Sequence, residues 1–292
     1  MRNLYQEVTE RIIHQLETGV APWVKPWSTT PGNGMPVNAL TGRQYSGANV
    51  VLLWMAQGNR DWPTARFLTF KQAKEAGGSV RKGEHGFKVY FVKPVIRRGE
   101  TKRDGTIADR DITMLREYTV FNVAQCDGLR DSVANGKFTP VVRVEGKRDD
   151  TIEEFVIATG ASVIEAADGA YYSVKHDHIV MPRFKQFKTV SSYYNTLFHE
   201  LGHWTGHKSR LDRDFNNRFG DEKYAAEELV AELTSAFLSA EFSIDGESAG
   251  YIDNWIRLLR NDNKAFFTAA AAATKAAEYL RSKVIAEQEE AA

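Results

Sequence analysis

Apolar positions recur with helical spacing at the start of the chain, where Leu4, Val8, Ile12 and Leu16 fall on one stripe. Residues 19–47 break that pattern, being rich in Pro, Gly, Trp and Asn with few helix or strand signals. The next apolar runs predict a buried helix over 49–57, a short strand leading into a helix over 67–76, and a strand over 86–94. Residues 97–114 alternate charge and glycine, as an exposed hairpin or mobile loop does, and 118–124 read as another apolar strand. Turn signals then cluster between 125 and 150: Asp127-Gly128, Asn135-Gly136 and the run Lys147-Arg148-Asp149-Asp150. Beyond them the pattern predicts a helix over 151–159, a two-stranded hairpin over 170–182, and helices over 192–205, 221–242, 251–260 and 264–287. Strands followed by a run of helices make an α+β protein. The expected division is a first module over 1–130, a linker over 131–149 and a second module over 150–292.

Charge sharpens that division. Lys+Arg and Asp+Glu both number 38, so the whole chain carries no net charge. Residues 1–130, however, hold 19 basic and 12 acidic side chains, and residues 131–292 hold 19 basic and 26 acidic ones. The first part also carries four of the six tryptophans, Trp23, Trp27, Trp54 and Trp62. A basic, aromatic module beside an acidic one predicts a polyanionic partner for the first. The single cysteine, Cys126, cannot form an internal bridge. No apolar stretch reaches the length of about 18 residues that reads as a spanning helix, and residues 1–19 lack the apolar core of a signal peptide. A cytoplasmic protein with no membrane partner is expected.

The second module carries a metal motif. His199-Glu200-Leu201-Gly202-His203 is H-E-x-x-H. Residues four apart share a helix face, so both imidazoles can bind one ion, with Glu200 placed as general base. Ser191 or Ser192 would cap the helix start, and Gly206 would end it in a left-handed conformation. A catalytic site needs a third protein ligand and an open fourth position. The extended form with a third histidine is excluded, because Ser209 stands where that histidine would be; His207, four residues after His203 but past the expected helix end, is a weaker candidate. A glutamate from the following helix is the better candidate. Glu228 is the leading choice, with Glu232 one turn on to hydrogen-bond a ligand histidine and fix its tautomer; Glu227 and Glu232 remain alternatives as the ligand itself. Such a set suits Zn2+, and other first-row divalent ions such as Mn2+ fit as well. The strand Ile179-Val180-Met181 before the motif would serve either as an edge that pairs with an extended peptide or as a plain structural strand.

In the first module, Trp23-Val24-Lys25-Pro26-Trp27 sets two indoles around a lysine, followed by Asn38, Arg43, Tyr45 and Asn49, and then by Lys71, Lys74, Arg81, Lys82 and Lys88. Rings that stack on bases and cations that follow phosphates bind single-stranded nucleic acid. The competing expectation is that the tryptophans are core. No duplex-reading motif is present.

Both modules resemble one family. The segment P-W-x-K-P-W, then P-x-N-x-x-T-G-x-x-Y-x-G-x-N within residues 21–49, is similar to the N-terminal domain of ArdC-type antirestriction proteins, as are residues 69–73, 77–86 and Phe121-Asn122-Val123. Downstream, HELGHWTGH at 199–207, Ser209-Arg210-Leu211 and EELVAE at 227–232 resemble the zincin-like metallopeptidase domain of the same proteins. The resemblance implies a protein of conjugative plasmids that binds single-stranded DNA and protects incoming plasmid DNA from the recipient's restriction enzymes. It further implies His199, His203 and Glu228 as metal ligands, Glu200 as base, and Trp23, Lys25, Trp27, Asn38, Arg43 and Tyr45 as the DNA contacts. Two other readings stay open: a metallopeptidase that cleaves a host protein and uses the first module for recruitment, and a purely structural metal.

Overall fold

The computed structural model describes residues 3–24, 34–60, 62–101, 107–135, 143–166, 168–214, 222–246 and 251–290. The chain opens with helix α1 (Leu4–Glu17), whose start Asn3 caps by accepting a hydrogen bond from the Gln6 amide; its predicted stripe is buried at Val8, Ile12 and Leu16. Then follow β1 (Val37–Asn38), α2 (Ala48–Gly58), β2 (Arg66–Leu68), α3 (Phe70–Glu75), β3 (Ser79–Val80), β4 (Phe87–Thr101), β5 (Ile107–Asn122), β6 (Cys126–Asp127) and α4 (Asp131–Ala134). A four-stranded sheet in the order β1-β2-β5-β4 and a small β3-β6 pair make the first half α+β. The charged, glycine-bearing stretch over 97–114 belongs to the long antiparallel β4–β5 hairpin, with a register shift between Arg97 and Glu100; residues 102–106 lie outside the described residues.

The second half holds α5 (Asp150–Ala158), β7 (Ser162–Glu165), β8 (Tyr171–Ser173), β9 (His178–Met181), α6 (Val190–Thr205), α7 (Glu222–Glu241), α8 (Ile252–Asn261) and α9 (Ala265–Glu290). The predicted hairpin is present as β8 and β9, but β7 also pairs with β9, in parallel, giving the order β7-β9-β8. Ile179–Met181 is therefore the middle of the sheet and has no free edge for a peptide; its residues are buried instead. Two terminal expectations for α6 also change. Thr189, not a serine, accepts the capping hydrogen bond, from the Ser192 amide, and Gly206 ends the helix at φ −78°, right-handed rather than left-handed.

The two halves share a core. Val8, Trp54 and Phe67 from the first half lie in one buried cluster with Leu229, Phe237, Trp255 and Phe266 from the second. The Trp54 and Phe237 rings meet edge-on at 5.9 Å. A second cluster lies wholly within the second half and includes Ile152, Phe198, Leu201, Leu238 and Leu280. Helix α7 contributes to both, Phe237 to one and Leu238 to the other, so it is buried on opposite faces. A helix buried on more than one side must be covered on each, and the first half covers the side that carries Leu229, Leu233 and Phe237.

Arg210 ties the β8–β9 hairpin to the segment after α6. Its guanidinium donates to Asp177 Oδ2 at 3.0 Å and to the Tyr172 hydroxyl at 3.1 Å, and lies 3.9 Å over the Trp204 ring. The hydrogen bond from Arg210 holds the Asp177 carboxyl down, to about 2. A carboxylate depressed in this way adds stability above its ordinary value of about 3.9 and loses it as pH falls through the folded value. Asp177→Asn is thus expected to destabilise at pH 6 and to approach neutrality near pH 2, measured by urea unfolding at both. A core truncation tests the shared cluster. Phe237→Ala is expected to cost about 3–5 kcal/mol while both halves still melt in one transition by tryptophan fluorescence and far-ultraviolet dichroism; two separated transitions would show independent cores.

Candidate metal centre

Helices α6 and α7 cross closely because the residue between the two histidines' turn is Gly202. A Cβ there would stand 2.9 Å from the Ala231 Cα and 3.2 Å from its carbonyl oxygen. That approach brings His199 and His203 on α6 against Glu227, Glu228 and Glu232 on α7. His199 Nε2 and His203 Nε2 are 3.1 Å apart, and Glu228 Oε2 and Oε1 stand 3.4 and 3.5 Å from them respectively. One donor atom from each of the three residues can be drawn so that all lie within 4.8 Å. With metal–ligand bonds of roughly 2.0–2.1 Å, two ligands on a tetrahedral ion sit about 3.3 Å apart, close to the observed spacing.

The outer nitrogens explain why the inner ones face each other. His203 Nδ1 is 3.1 Å from Glu227 Oε1, and His199 Nδ1 is 3.5 Å from Glu232 Oε2. Carboxylates accept, so each Nδ1 donates, and each Nε2 is left facing the other ring and Glu228, where it presents a lone pair whenever it carries no proton. With both Nε2 protons removed, two lone pairs and a carboxylate converge with no donor among them, an arrangement that a cation satisfies. Burial alone would discharge both rings. The hydrogen bonds that the rings donate to Glu228 and Glu232 outweigh it at His199, raised to about 10, and those donated to Glu227 and Glu228 do so at His203, raised to about 9. Burial likewise works against the Glu228 charge, but the two imidazoles prevail and hold its carboxyl far below the usual range.

Of the three glutamates left open by the sequence, Glu228 alone faces both Nε2 atoms. Glu227 is held from behind by Arg213, whose Nε and Nη2 donate to its two oxygens at 2.9 Å each. Arg213 also donates to the Thr205 hydroxyl and the Gly202 carbonyl, locking the end of α6 to α7. Glu200 follows His199, is 7% exposed and lies near enough to raise it electrostatically without joining the converging set. Tyr224, one turn before Glu228, hydrogen-bonds Glu228 and Tyr251, and burial with those contacts pushes its phenol well up. It is a proton donor beside the third candidate ligand. His207 turns away to the Ser209 hydroxyl at 2.8 Å. Sequence spacing missed Arg213 and Tyr224; only the i, i+4 relation of Tyr224 to Glu228 pointed at either.

The expected DNA contacts separate into three groups. Trp23 is 2% exposed, stacked on Phe266 and edge-on to Trp255 at 5.2 Å, and its indole N–H donates to Glu232 Oε1 at 3.3 Å. Its faces are covered, so the stacking expectation is corrected: Trp23 is core. Lys25 and Trp27 lie outside the described residues. Asn38, Arg43 and Tyr45 line one cleft at the edge of the first-half sheet. Asn49 is buried and clamps Tyr90 of β4, giving and taking backbone hydrogen bonds at 2.7 Å.

A helix pair with a converging His–His–Glu set, in an α+β chain, defines a zincin-like site. Residues 150–272 match the zincin-like metallopeptidase family, and residues 2–121 match the N-terminal domain of the anti-restriction factor ArdC. Antirestriction protein ArdC of plasmid R388 is 37% identical, over 97% of this chain and 98% of that one; its metal-free crystal structure superposes with a TM-score of 0.83 and its Mn(II)-bound one with 0.79. The protein y4eC of Sinorhizobium fredii is 34% identical over 96% of this chain and 92% of its own length. Two DNA primases TraC of Escherichia coli are 39% and 38% identical, but this chain spans only 27% and 20% of their lengths. The chain belongs to the ArdC-type antirestriction family. Among the described residues no helix is long and apolar enough to cross a membrane.

Two substitutions test the geometry. Glu227→Gln, which weakens the hold on His203, is expected to lower metal affinity about 10–100-fold. Gly202→Ala should raise intrinsic helix propensity by about 1 kcal/mol yet also weaken the metal, by forcing α6 from α7. Calorimetric titration with Zn2+ and Mn2+ measures both, and unchanged affinity in both would refute the packing argument.

Proposed function

We propose that this protein acts in antirestriction by binding single-stranded DNA through residues 1–130 and so protecting incoming plasmid DNA. In the same reading, His199, His203 and Glu228 hold a divalent metal, zinc or manganese. The observation that carries the reading is the 37% identity to R388 ArdC across nearly the whole of both chains. The charge split supports it, because the basic excess lies wholly in the half assigned to the polyanion. Mn(II) in the R388 protein supports the choice of ion. A bound divalent ion would supply Lewis acidity at an open fourth position. Around it, Glu200 is the proton acceptor, Glu227 and Glu232 keep the ligand imidazoles in one tautomer, and Tyr224 offers a hydroxyl proton beside Glu228. That completeness favours a second reading, peptide-bond hydrolysis in a protein substrate, with the first half serving for recruitment.

Anisotropy with a labelled single strand and its duplex, across salt and with or without chelator, separates these readings. The single strand is expected to bind more tightly, to weaken with salt at a log–log slope of about −0.7 per phosphate contacted, and to ignore the chelator. Equal weak binding to both forms would sink the DNA reading and leave the peptidase. Glu200→Gln is expected to retain full metal stoichiometry and single-strand affinity. Full restriction protection by that variant in a conjugation assay would exclude hydrolysis from the mechanism.

A further inference from the structure

The cleft lined by Asn38, Arg43 and Tyr45 has a volume of about 500 Å³, and its other wall is the β4–β5 hairpin. Two rings stand there in solvent: Phe91 is 45% exposed and Tyr118 46%. They meet edge-on at 5.5 Å with an interplanar angle of 75°, so each keeps a face clear of the other. A half-exposed aromatic pair in a cleft is costly in water unless something covers it. Cations flank it. Arg43 is exposed on the rim, and Arg116, also exposed, is the direct cross-strand partner of Phe91 and shares its face. Farther along, Phe70 is exposed with the Lys74 ammonium 5.9 Å over its ring, directly after the cleft residue Thr69.

Asn38, Tyr45, Thr69 and Gln72 of the cleft are hydrogen-bonded among themselves. Asn38 Oδ1 accepts from the Leu40 and Thr41 amides and the Thr41 hydroxyl, while Asn38 Nδ2 donates to Gln72 Oε1 at 3.0 Å. Gln72 Oε1 also accepts from Thr69, through both its amide and its hydroxyl. The Tyr45 hydroxyl is engaged with Asn38. The Asn38 and Gln72 amides, spent in this way, are not available to read the edge of a base. What remains for a ligand is two ring faces and fixed positive charge, the combination that holds single strands without sequence preference.

Resting on the single-strand reading above, we propose that this cleft is where the strand is held: bases stack on Phe91 and Tyr118, Arg43 and Arg116 meet phosphates, and base identity is not read. A duplex keeps its base faces inside the stack, so these rings discriminate against it.

The test is fluorescence anisotropy of the full chain with labelled oligo-dT, oligo-dA and oligo-dC. Phe91→Ala and Tyr118→Ala are each expected to bind about fivefold or more weakly, the lower end of what one stacked base contributes. Phe91→Tyr, which keeps a ring, should restore wild-type affinity, and Ile157→Ala, an exposed apolar residue in the other half, should leave it unchanged. Arg43→Gln should reduce the log–log salt slope by about 0.7. The three oligonucleotides should bind alike. Wild-type affinity in both alanine variants, with the wild type binding well, would overturn this placement and leave single-strand binding intact. Loss of that affinity with no rescue by Phe91→Tyr would also overturn it, since stacking requires only the ring. A strong preference for one base would overturn the claim that sequence is not read. Displacement of the oligonucleotide by a short apolar peptide at equal concentration would mark a peptide cleft instead. If wild type binds no oligonucleotide at all, the proposed function falls, and this inference with it.

Discussion

Three carboxylates on a helix buried from both sides must be answered by positive charge or by hydrogen-bond donors. Glu228 and Glu232 are buried outright and Glu227 nearly so. Stranding such groups without partners would cost several kcal/mol each by the usual penalty for buried charge. Each has a specific answer: Arg213 for Glu227, the two imidazoles for Glu228, and His199 with the Trp23 indole for Glu232. With Glu200 added, the cluster holds four acidic groups against one arginine. That leaves three negative charges unanswered by a fixed cation, and it is the surrounding carboxylates that raise His199 and His203. Two protons on the rings can answer two of the three, and so would one divalent ion held by His199, His203 and Glu228. The metal and the protons are thus alternatives that meet the same electrostatic demand.

The same constraint accounts for the union of the two halves. The side of helix α7 that carries Leu229, Leu233 and Phe237 is apolar and needs cover, and the first half provides it through Trp54 and its neighbours. Contact extends to the polar layer as well. Thr9 on α1 donates to the Asn263 carbonyl at 2.8 Å, and Thr274 on α9 accepts from the Gly47 amide at 2.9 Å. The turn-rich stretch over 125–150 marks a change of composition and charge, yet the apolar core runs past it. The opposite net charges of the two halves sit on one folded body.

Much of the centre was legible because helix spacing is strict. A spacing of four from His199 to His203, and of four from Glu228 to Glu232, puts each pair on a face whatever the tertiary fold. Which glutamate turns inward was legible only as a preference for Glu228 over Glu227 and Glu232. It depends on the crossing of α6 and α7, set by the missing side chain at Gly202, and local pattern holds no information about a partner helix. Strand β7 escaped notice because Ser162–Glu165 is short and mostly exposed, so no apolar alternation announced it. The cap of α6 was misplaced for a different reason: Thr189, Ser191 and Ser192 all suit the role, and only the backbone decides among them. Phe91 and Tyr118 read as ordinary strand residues, since the pattern of a strand does not say where its covering layer stops.

Trp23 shows how a family motif can mislead about what it touches. It stands in the segment P-W-x-K-P-W, among lysine and proline in a basic half, where an indole invites the reading of a base-stacking ring. Its ring instead fills the core against Trp255 and Phe266, and its N–H spans to the outer carboxylate of His199 through Glu232. A residue shared by the first-half pattern therefore completes the polar shell of the second-half centre. The pattern identifies the family through the joint between its halves as much as through any ligand. For the same reason the aromatic residues open to a ligand are found on the β4–β5 hairpin, the part of the first half that α7 does not need for cover.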